Sequence, residues 1–358
     1  MIRVHDLVHR IHDRRPPESP PLAELRPRRP YPDGWFAVAF ADELPSGQVL
    51  RRRFMGEDLV VYRTRGGVLR AVEPYCPHLG AHLGHGGRVE GEDIVCPFHR
   101  FAFDPSGACV RTGYGTRPPV ARLVQHDVRE LNGAILVWHH SAGAAPSWEV
   151  APQSMEGFPA SFRQVSALVD HPQDIVENAV DIGHIGPIHG YRNVRLRRPF
   201  ATHGPAFTIA STVERAMPLG GPLEIVIDVA VHGFGHLWVD ATIPRLRAAA
   251  KFQLMATPLD ACRVELRYAV ALRVGSGAAH ARGRALVAHL LTLALGPLFR
   301  RDTERDFPVW EHKIYIDQPR LAKGDGPLLA FRRWAQQFYS LPTATNGARP
   351  AAQLSSGR

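Results

Sequence analysis

Two short segments constrain this chain more than anything else in it: Cys76-Pro77-His78-Leu79-Gly80 and Cys96-Pro97-Phe98-His99. Each offers one thiol and one imidazole, and seventeen residues separate His78 from Cys96. Loops that carry such donors must fold back toward a shared metal. The prolines after both cysteines, and Gly80, Gly84, Gly86 and Gly87, suit two tight loops clasping a bulky group. One thiolate and one imidazole per loop suits a cluster in which one iron is held by two Cys and the other by two His. Neutral imidazoles in place of thiolates remove negative charge and raise the potential of such a cluster. A structural zinc site is the alternative, although zinc sites usually pair C-x-x-C with C-x-x-C or with two spaced histidines, and a C-x-H half is unusual for them.

The rest of the chain leaves room for more than this centre. At 358 residues it can form two ordinary domains. Four cysteines in that length make no disulfide framework, and Cys109 and Cys262, without partner motifs, read as small buried hydrophobes. The start has no apolar run typical of a secretory signal. The longest apolar stretch, Ala285 to Leu298, is interrupted by His289 and Thr292 and falls short of the ~20 residues that span a bilayer. A cytoplasmic protein is therefore expected. The net charge of +9 comes almost wholly from arginine, since lysine occurs only as Lys251, Lys313 and Lys323. The arginines are scattered and no nucleic-acid motif accompanies them, so the choice lies between a basic solvated surface and an acidic electron-donor protein as partner.

Along the chain, residues 1–30 form a basic, proline-rich extension, in which His5, His9 and His12 read as a solvated face. Residues 31–150 are short Val-, Ile- and aromatic-rich runs separated by turns such as Arg65-Gly66-Gly67 and Leu131-Asn132-Gly133, the pattern of a small antiparallel β domain. Residues 151–340 predict a helix from about Pro172 through Ile182, with strands at 206–214, 223–231, 235–243, 250–256 and 262–272. Helices near 279–300 and 327–339 follow. The class is α+β, with helices packed on one antiparallel sheet. Residues 341–358 read as a flexible tail.

A second metal site is written in the segment from Glu177-Asn178 through Asp181 and His184 to His189. Asn178, Asp181 and His184 stand three residues apart, on one face of the predicted helix. His189 lies about 500° of ideal helix rotation beyond His184. Gly186-Pro187 would break the helix and let both imidazoles turn to one metal. Two histidines and one carboxylate leave open positions for dioxygen and substrate. Asp302, Glu304 and Asp306 are the candidate carboxylates. A bare electron carrier would need no second site, and a zinc-stabilised lipid-binding module would contain no sulfide.

These motifs resemble those of the Rieske non-haem iron oxygenases, whose catalytic signature E-N-x-x-D-x-x-H-x4-H is matched by Glu177 to His189. Respiratory Rieske proteins carry an additional cysteine in each loop, where this chain has Ala81 and Phe98, so the oxygenase and ferredoxin branch is favoured. Phe101 stands where many oxygenases have tryptophan. The segments Tyr31–Phe36, Asp306–Lys313, Gly324–Pro327 and Phe331–Tyr339 look like those of ketosteroid hydroxylase oxygenases and cholesterol desaturases. The resemblance implies a [2Fe-2S] cluster on Cys76, His78, Cys96 and His99, and a mononuclear Fe(II) on His184, His189 and Asp306, the last because the D-x-x-[IV]-W text aligns there. It makes Asn178 and Asp181 catalytic, with Asp181 bridging from the iron ligand His184 to a Rieske histidine, His99 of a neighbouring subunit, in a head-to-tail homotrimer. The catalytic domain should be helix-grip-like. Electrons would come from a ferredoxin or an NAD(P)H-dependent reductase, as no dinucleotide fingerprint is present. With dioxygen, the chain would hydroxylate, desaturate or oxidatively cyclise a bulky apolar, multi-ring substrate. Its tunnel is expected to be lined by part of Ala285–Leu295 with Phe234 and Trp238.

Overall fold

In the first half, branched and aromatic runs too short for helices pair into small sheets. The computed structural model describes residues 29–217, 221–275 and 281–340; the extension and the tail lie outside the described residues, apart from Arg29 and Pro30. The strands are β1 (Gly34–Phe40), β2 (Val49–Phe54), β3 (Glu57–Arg63), β4 (Leu69–Val72), β5 (Arg88–Glu90), β6 (Asp93–Val95), β7 (Ala102–Phe103), β8 (Cys109–Arg111), β9 (Gln125–His126), β10 (Val128–Leu131) and β11 (Ala134–His139). They form three sheets, ordered β1-β11-β10, β2-β3-β4-β9 and β5-β6-β7-β8. The third is made of strands of two or three residues; Cys76 lies in the segment leading into it and Cys96 in its β6–β7 connection.

The second half is dominated by one seven-stranded antiparallel sheet. Its strands are β12 (Phe162–Val169), β13 (Arg192–His203), β14 (Ala206–Arg215), β15 (Leu223–His232), β16 (His236–Ile243), β17 (Ala248–Pro258) and β18 (Arg263–Val274), ordered β12-β18-β17-β16-β15-β14-β13. Between β12 and β13 lie α1 (Pro172–Glu177) and α2 (Ile185–His189). After the sheet come α3 (Ala281–Thr303), α4 (Phe307–His312) and α5 (Leu328–Ala335). The chain is α+β as expected. Two strands escaped the sequence reading. β13 is an exposed edge strand of scattered arginines containing Pro199, tolerable at an edge where no partner needs its amide. β12 is the opposite edge, and because its less exposed positions include Gln164 and Ser166, no apolar alternation marks it in the sequence.

The predicted helix over 172–182 is shorter than expected. α1 stops at Glu177, and residues 178–184 form a loop, so Asn178, Asp181 and His184 do not share a helix face. Nor does Gly186-Pro187 break a helix. Pro187 is the third residue of α2, in the first turn, where its missing amide hydrogen has no helical partner to lose. The break precedes His184 instead.

The largest apolar cluster draws on both halves. Phe36, Val61 and Ile135 pack with Phe207, Phe331 and Phe338. Polar contacts follow the same seam: Thr257 donates to Ala37 O at 2.7 Å, and the buried Arg267 guanidinium donates to Val38 O at 2.7 Å. A Cβ on Gly235 would run into Trp35 O, so the β15–β16 turn closes directly on β1. Phe234 is spent in this core against Phe331, Trp334 and Phe338, and Trp238 faces a small separate cavity with Asn132 and Gln253. Neither lines the large cavity, contrary to expectation. Cys109 and Cys262 are half-buried rather than buried.

His236 lies on the seam with no solvent exposure. Its Nε2 is 2.9 Å from Gln253 Nε2 and 3.4 Å from Asn132 Nδ2, so it accepts from both amides and the ring is neutral. Burial, aided by His232, depresses its pKa to about 3. Unfolded, the ring titrates near 6.5. Above that pH neither state gains a proton, while below it the unfolded chain alone does. Stability should therefore be level above about pH 6.5 and fall by about 1.4 kcal/mol per pH unit below it from this residue. Urea midpoints measured above and below that pH check this, and His236→Gln should flatten the slope.

Candidate metal centres

Cys76 follows β4 and Cys96 follows β6, and the loops they open are built alike. The Cys76 amide donates to Ala81 O at 2.9 Å and the Cys96 amide to Phe101 O at 2.8 Å, in each case the fifth residue ahead. The fourth residue after each cysteine is left-handed: Gly80 at φ 74° and Arg100 at φ 56°. This repeated turn buries both cysteines and leaves His78 and His99 half-buried toward the surface, ring centroids 4.8 Å apart. Phe101 stacks on the His78 ring at 4.1 Å, and Phe98 lies over His99 at 3.7 Å. Burial pushes the Cys76 thiol up to about 11, a penalty that metal coordination of the thiolate relieves.

Among the described residues, the group that brings three donor atoms within 4.8 Å of one another is His184, His189 and Asp306. The Cys/His quartet does not converge so closely. One thiol and one imidazole on each of two loops suit a cluster with two irons.

The triad is assembled by helix ends. His184 caps the start of α2 and His189 closes it, with Gly190 at φ 75° ending the helix immediately after. One helical turn thus brings the two imidazoles to 5.2 Å between centroids. The Asp181 carboxylate accepts from the amides of Gly183 at 3.0 Å and His184 at 3.3 Å, which turns the chain into α2. The Asp181 carbonyl accepts from His184 Nδ1, leaving Nε2 to face the triad, 3.1 Å from Asn178 Nδ2. Burial raises the pKa of Asp181, which keeps 33 % side-chain exposure.

Asp306 precedes α4, and its side chain makes no capping bond. Its Oδ2 lies 3.4 Å from His189 Nε2, and Asp302 Oδ2 lies 3.6 Å from His189 Nδ1. Burial opposes charge on His189, but Asp302 and Asp306 outweigh it and raise the pKa to about 9. Glu304 pairs instead with Arg300 at 3.4 Å. Two imidazoles and a carboxylate at this spacing fit a non-haem iron. From the sequence, Asp302 is only an alternative ligand. Its place beside the far nitrogen of His189 had no signal in the sequence. Nor did that of Tyr191, which accepts from Arg215 at 3.3 Å near the triad.

The triad stands in the wall of a cavity of about 440 Å³. Much of the remaining lining is aliphatic or aromatic, including Ile209, Ile227, Val239, Leu254, Leu295 and Phe299. Cavities of about 300–1,000 Å³ take ligands of drug size.

Fold and donor sets together define a Rieske-type non-haem iron oxygenase. Residues 34–123 match the family described as the Rieske [2Fe-2S] domain, and residues 137–339 match the 3-ketosteroid 9alpha-hydroxylase C-terminal domain. The chain belongs to this family. It is 32 % identical over 329 residues to a cholesterol 7-desaturase of Bombyx mori, covering 87 % of this chain and 70 % of that one. It is 27 % identical over 334 residues to a probable 3-ketosteroid-9-alpha-monooxygenase oxygenase component of Rhodococcus rhodochrous, covering 87 % and 81 %. The crystal structure of dicamba monooxygenase bound to dicamba shares the fold, with a TM-score of 0.65, 19 % identity and coverage of 87 % and 98 %. The chain is thus an oxidoreductase whose cofactors are a Rieske [2Fe-2S] cluster and a non-haem iron.

The Gly324–Pro327 segment packs against the loop that carries Asp181. Gly326 has φ 89°, and a Cβ there would run into Val180 O and sit 3.3 Å from Ile182 N. Gly326→Ala should destabilise the fold by roughly 1–3 kcal/mol and displace this loop. A lowered melting temperature together with loss of mononuclear iron, cluster absorbance retained, is the expected result.

Proposed function

We propose that the chain binds a bulky, apolar, multi-ring substrate beside His184, His189 and Asp306 and inserts oxygen into it or desaturates it. The observation that carries this reading is the position of the triad in the wall of a largely apolar cavity. Such a cavity holds a flat hydrophobe through area removed from water, about 25 cal/mol per Å². Asn178 and Tyr191 are among the few polar groups near the reacting end.

His184, His189 and Asp306 would hold the mononuclear iron, and Cys76, His78, Cys96 and His99 the cluster. When bound, these groups supply dioxygen activation and the electrons for it. The protein's own part is to orient and to exclude water. Donation from His184 Nδ1 to the Asp181 carbonyl fixes the tautomer that presents Nε2. Contrary to the expected carboxylate contact, the link from Asp181 to the His184 ring runs through its backbone carbonyl, the carboxylate standing 3.9 Å from Nδ1; the partly exposed carboxylate is the part that His99 of the partner subunit would reach in a head-to-tail trimer. A ferredoxin or NAD(P)H-dependent reductase delivers electrons in the cytoplasm. The names of the relatives, which act on cholesterol or 3-ketosteroids, support a steroid-like substrate. Residues 31–150 and 151–340 are taken as the electron-transfer and catalytic units.

Metal analysis tests the assignment. Protein prepared without air should hold about three irons and two sulfides per chain. Asp306→Ala should lose about one iron and keep the sulfide; His78→Ala should lose the cluster. One zinc without sulfide would end the proposal. Oxygen uptake coupled to product should follow addition of multi-ring apolar compounds. Productive turnover of a small carboxylated arene instead would refute the substrate class.

The bridging role has its own test. Asp181→Asn should retain both metal centres and lose nearly all product formation. Co-expression with a Cys96→Ser chain should restore part of it, because one subunit's cluster then serves the other's iron. Light scattering should give a trimer, and full activity in a monomer would exclude this arrangement.

A further inference from the structure

We propose that the far end of the cavity docks on an anionic phospholipid bilayer, from which the apolar substrate is drawn. The proposal rests on the substrate reading above. The strand register sets one end of the large sheet in a row: Arg192 pairs with Glu214, Glu214 with Glu224, Val226 with Thr242, Ile243 with Ala248 and Ala248 with Val274. The cavity reaches this row, since Ile243, Leu246, Ala248 and Val274 are among its lining residues.

Helix α3 starts at the same end. The Leu272 amide donates to Thr292 Oγ1 at 2.9 Å, two residues short of the end of β18, so the helical turns before Thr292 stand level with the row or beyond it. Their inner neighbours Leu291 and Leu295 line the cavity. Their outer face is apolar too: Leu286, Leu290 and Leu293 are 60 %, 55 % and 50 % exposed at one-turn spacing, with Val287 at 48 %. Leu246 and Met217 add exposed apolar side chains at neighbouring strand ends. Contiguous exposed apolar side chains of this kind mark an interaction surface.

Charge selects the partner. Arg195, Arg245, Arg247 and Arg273 lie along this row, against Glu214, which accepts from Asn193 at 2.7 Å, and Glu224, while Arg215 is held on Tyr191 at the triad side. Two copies meeting through this face about a two-fold axis would set arginine against arginine. Anionic headgroups match the arginines, and the acyl boundary matches the leucines, as for an amphipathic helix lying in a membrane surface.

The test uses the full-length holoenzyme, sedimented with phosphatidylcholine vesicles with and without phosphatidylserine. Wild-type protein should bind the anionic vesicles, and added salt should weaken binding. The Leu286→Ser, Leu290→Ser double variant should bind at least about tenfold more weakly. Turnover of an apolar multi-ring substrate delivered in detergent should be unchanged in that variant, while turnover from vesicles falls. Vesicle binding is read without turnover, so failure of the substrate reading leaves this arm intact. Wild-type protein that ignores anionic vesicles, or a double variant that binds as wild type, overturns the proposal. So does a double variant whose oligomeric state changes in ultracentrifugation, since the stripe would then join copies of this chain.

Discussion

Glu177 and Arg332 are 155 residues apart and meet through two bonds, at 2.8 and 2.9 Å, from one guanidinium to one buried carboxylate. The pair fastens the last residue of α1 to α5. A six-residue helix has almost no stability of its own, so its position is borrowed from such contacts. At its other end Arg29 pairs with Asp174, and both arginines lie 4.4 Å from the ring of Tyr315. Removing Arg332 would strand a buried charge, at a cost of roughly 3–5 kcal/mol. The loop from Asn178 to His184 hangs from this anchored helix end, and the triad hangs from the loop.

The two donor sets are placed in opposite kinds of surroundings. In the N-terminal half the thiols lie inside and the imidazoles lie toward the surface, where an electron has to leave. In the catalytic half the donors face inward, onto a cavity whose walls offer few hydrogen bonds. Water gains little by staying there, and an apolar molecule gains by entering. The carboxylates of Asp302 and Asp306 concentrate charge at the one place where it has a use.

The candidate donors are legible because they are local chemistry: C-x-H, C-x-x-H and H-x4-H each mark their candidates within a few residues. The family match and the α+β class follow from such text. The path between the donors was not legible. The loop that follows the end of α1 at Glu177 packs against Gly326, whose close approach to Val180 O comes from far away in the chain and leaves no mark in the local periodicity. Periodicity could not foresee the first-turn position of Pro187, because that depends on where the helix begins. Phe234 and Trp238 carried the right chemistry for a cavity wall, but their strand places them against the core and the seam. The exposed leucines of α3 were visible as an excess of apolar residues, and which of them faced outward was not.

The seam through which Phe36, Val61 and Ile135 meet Phe207, Phe331 and Phe338 has a consequence for how the chain loses its structure. The two functional units are not two folding units. A cut in the connection near residue 145 would leave each fragment with half of an aromatic core facing water, and a Trp35 carbonyl with no turn closing over it. Melting should then be a single cooperative event, in which the electron-transfer half and the catalytic half fail together. Swapping one half between relatives would succeed only if the whole seam were carried with it.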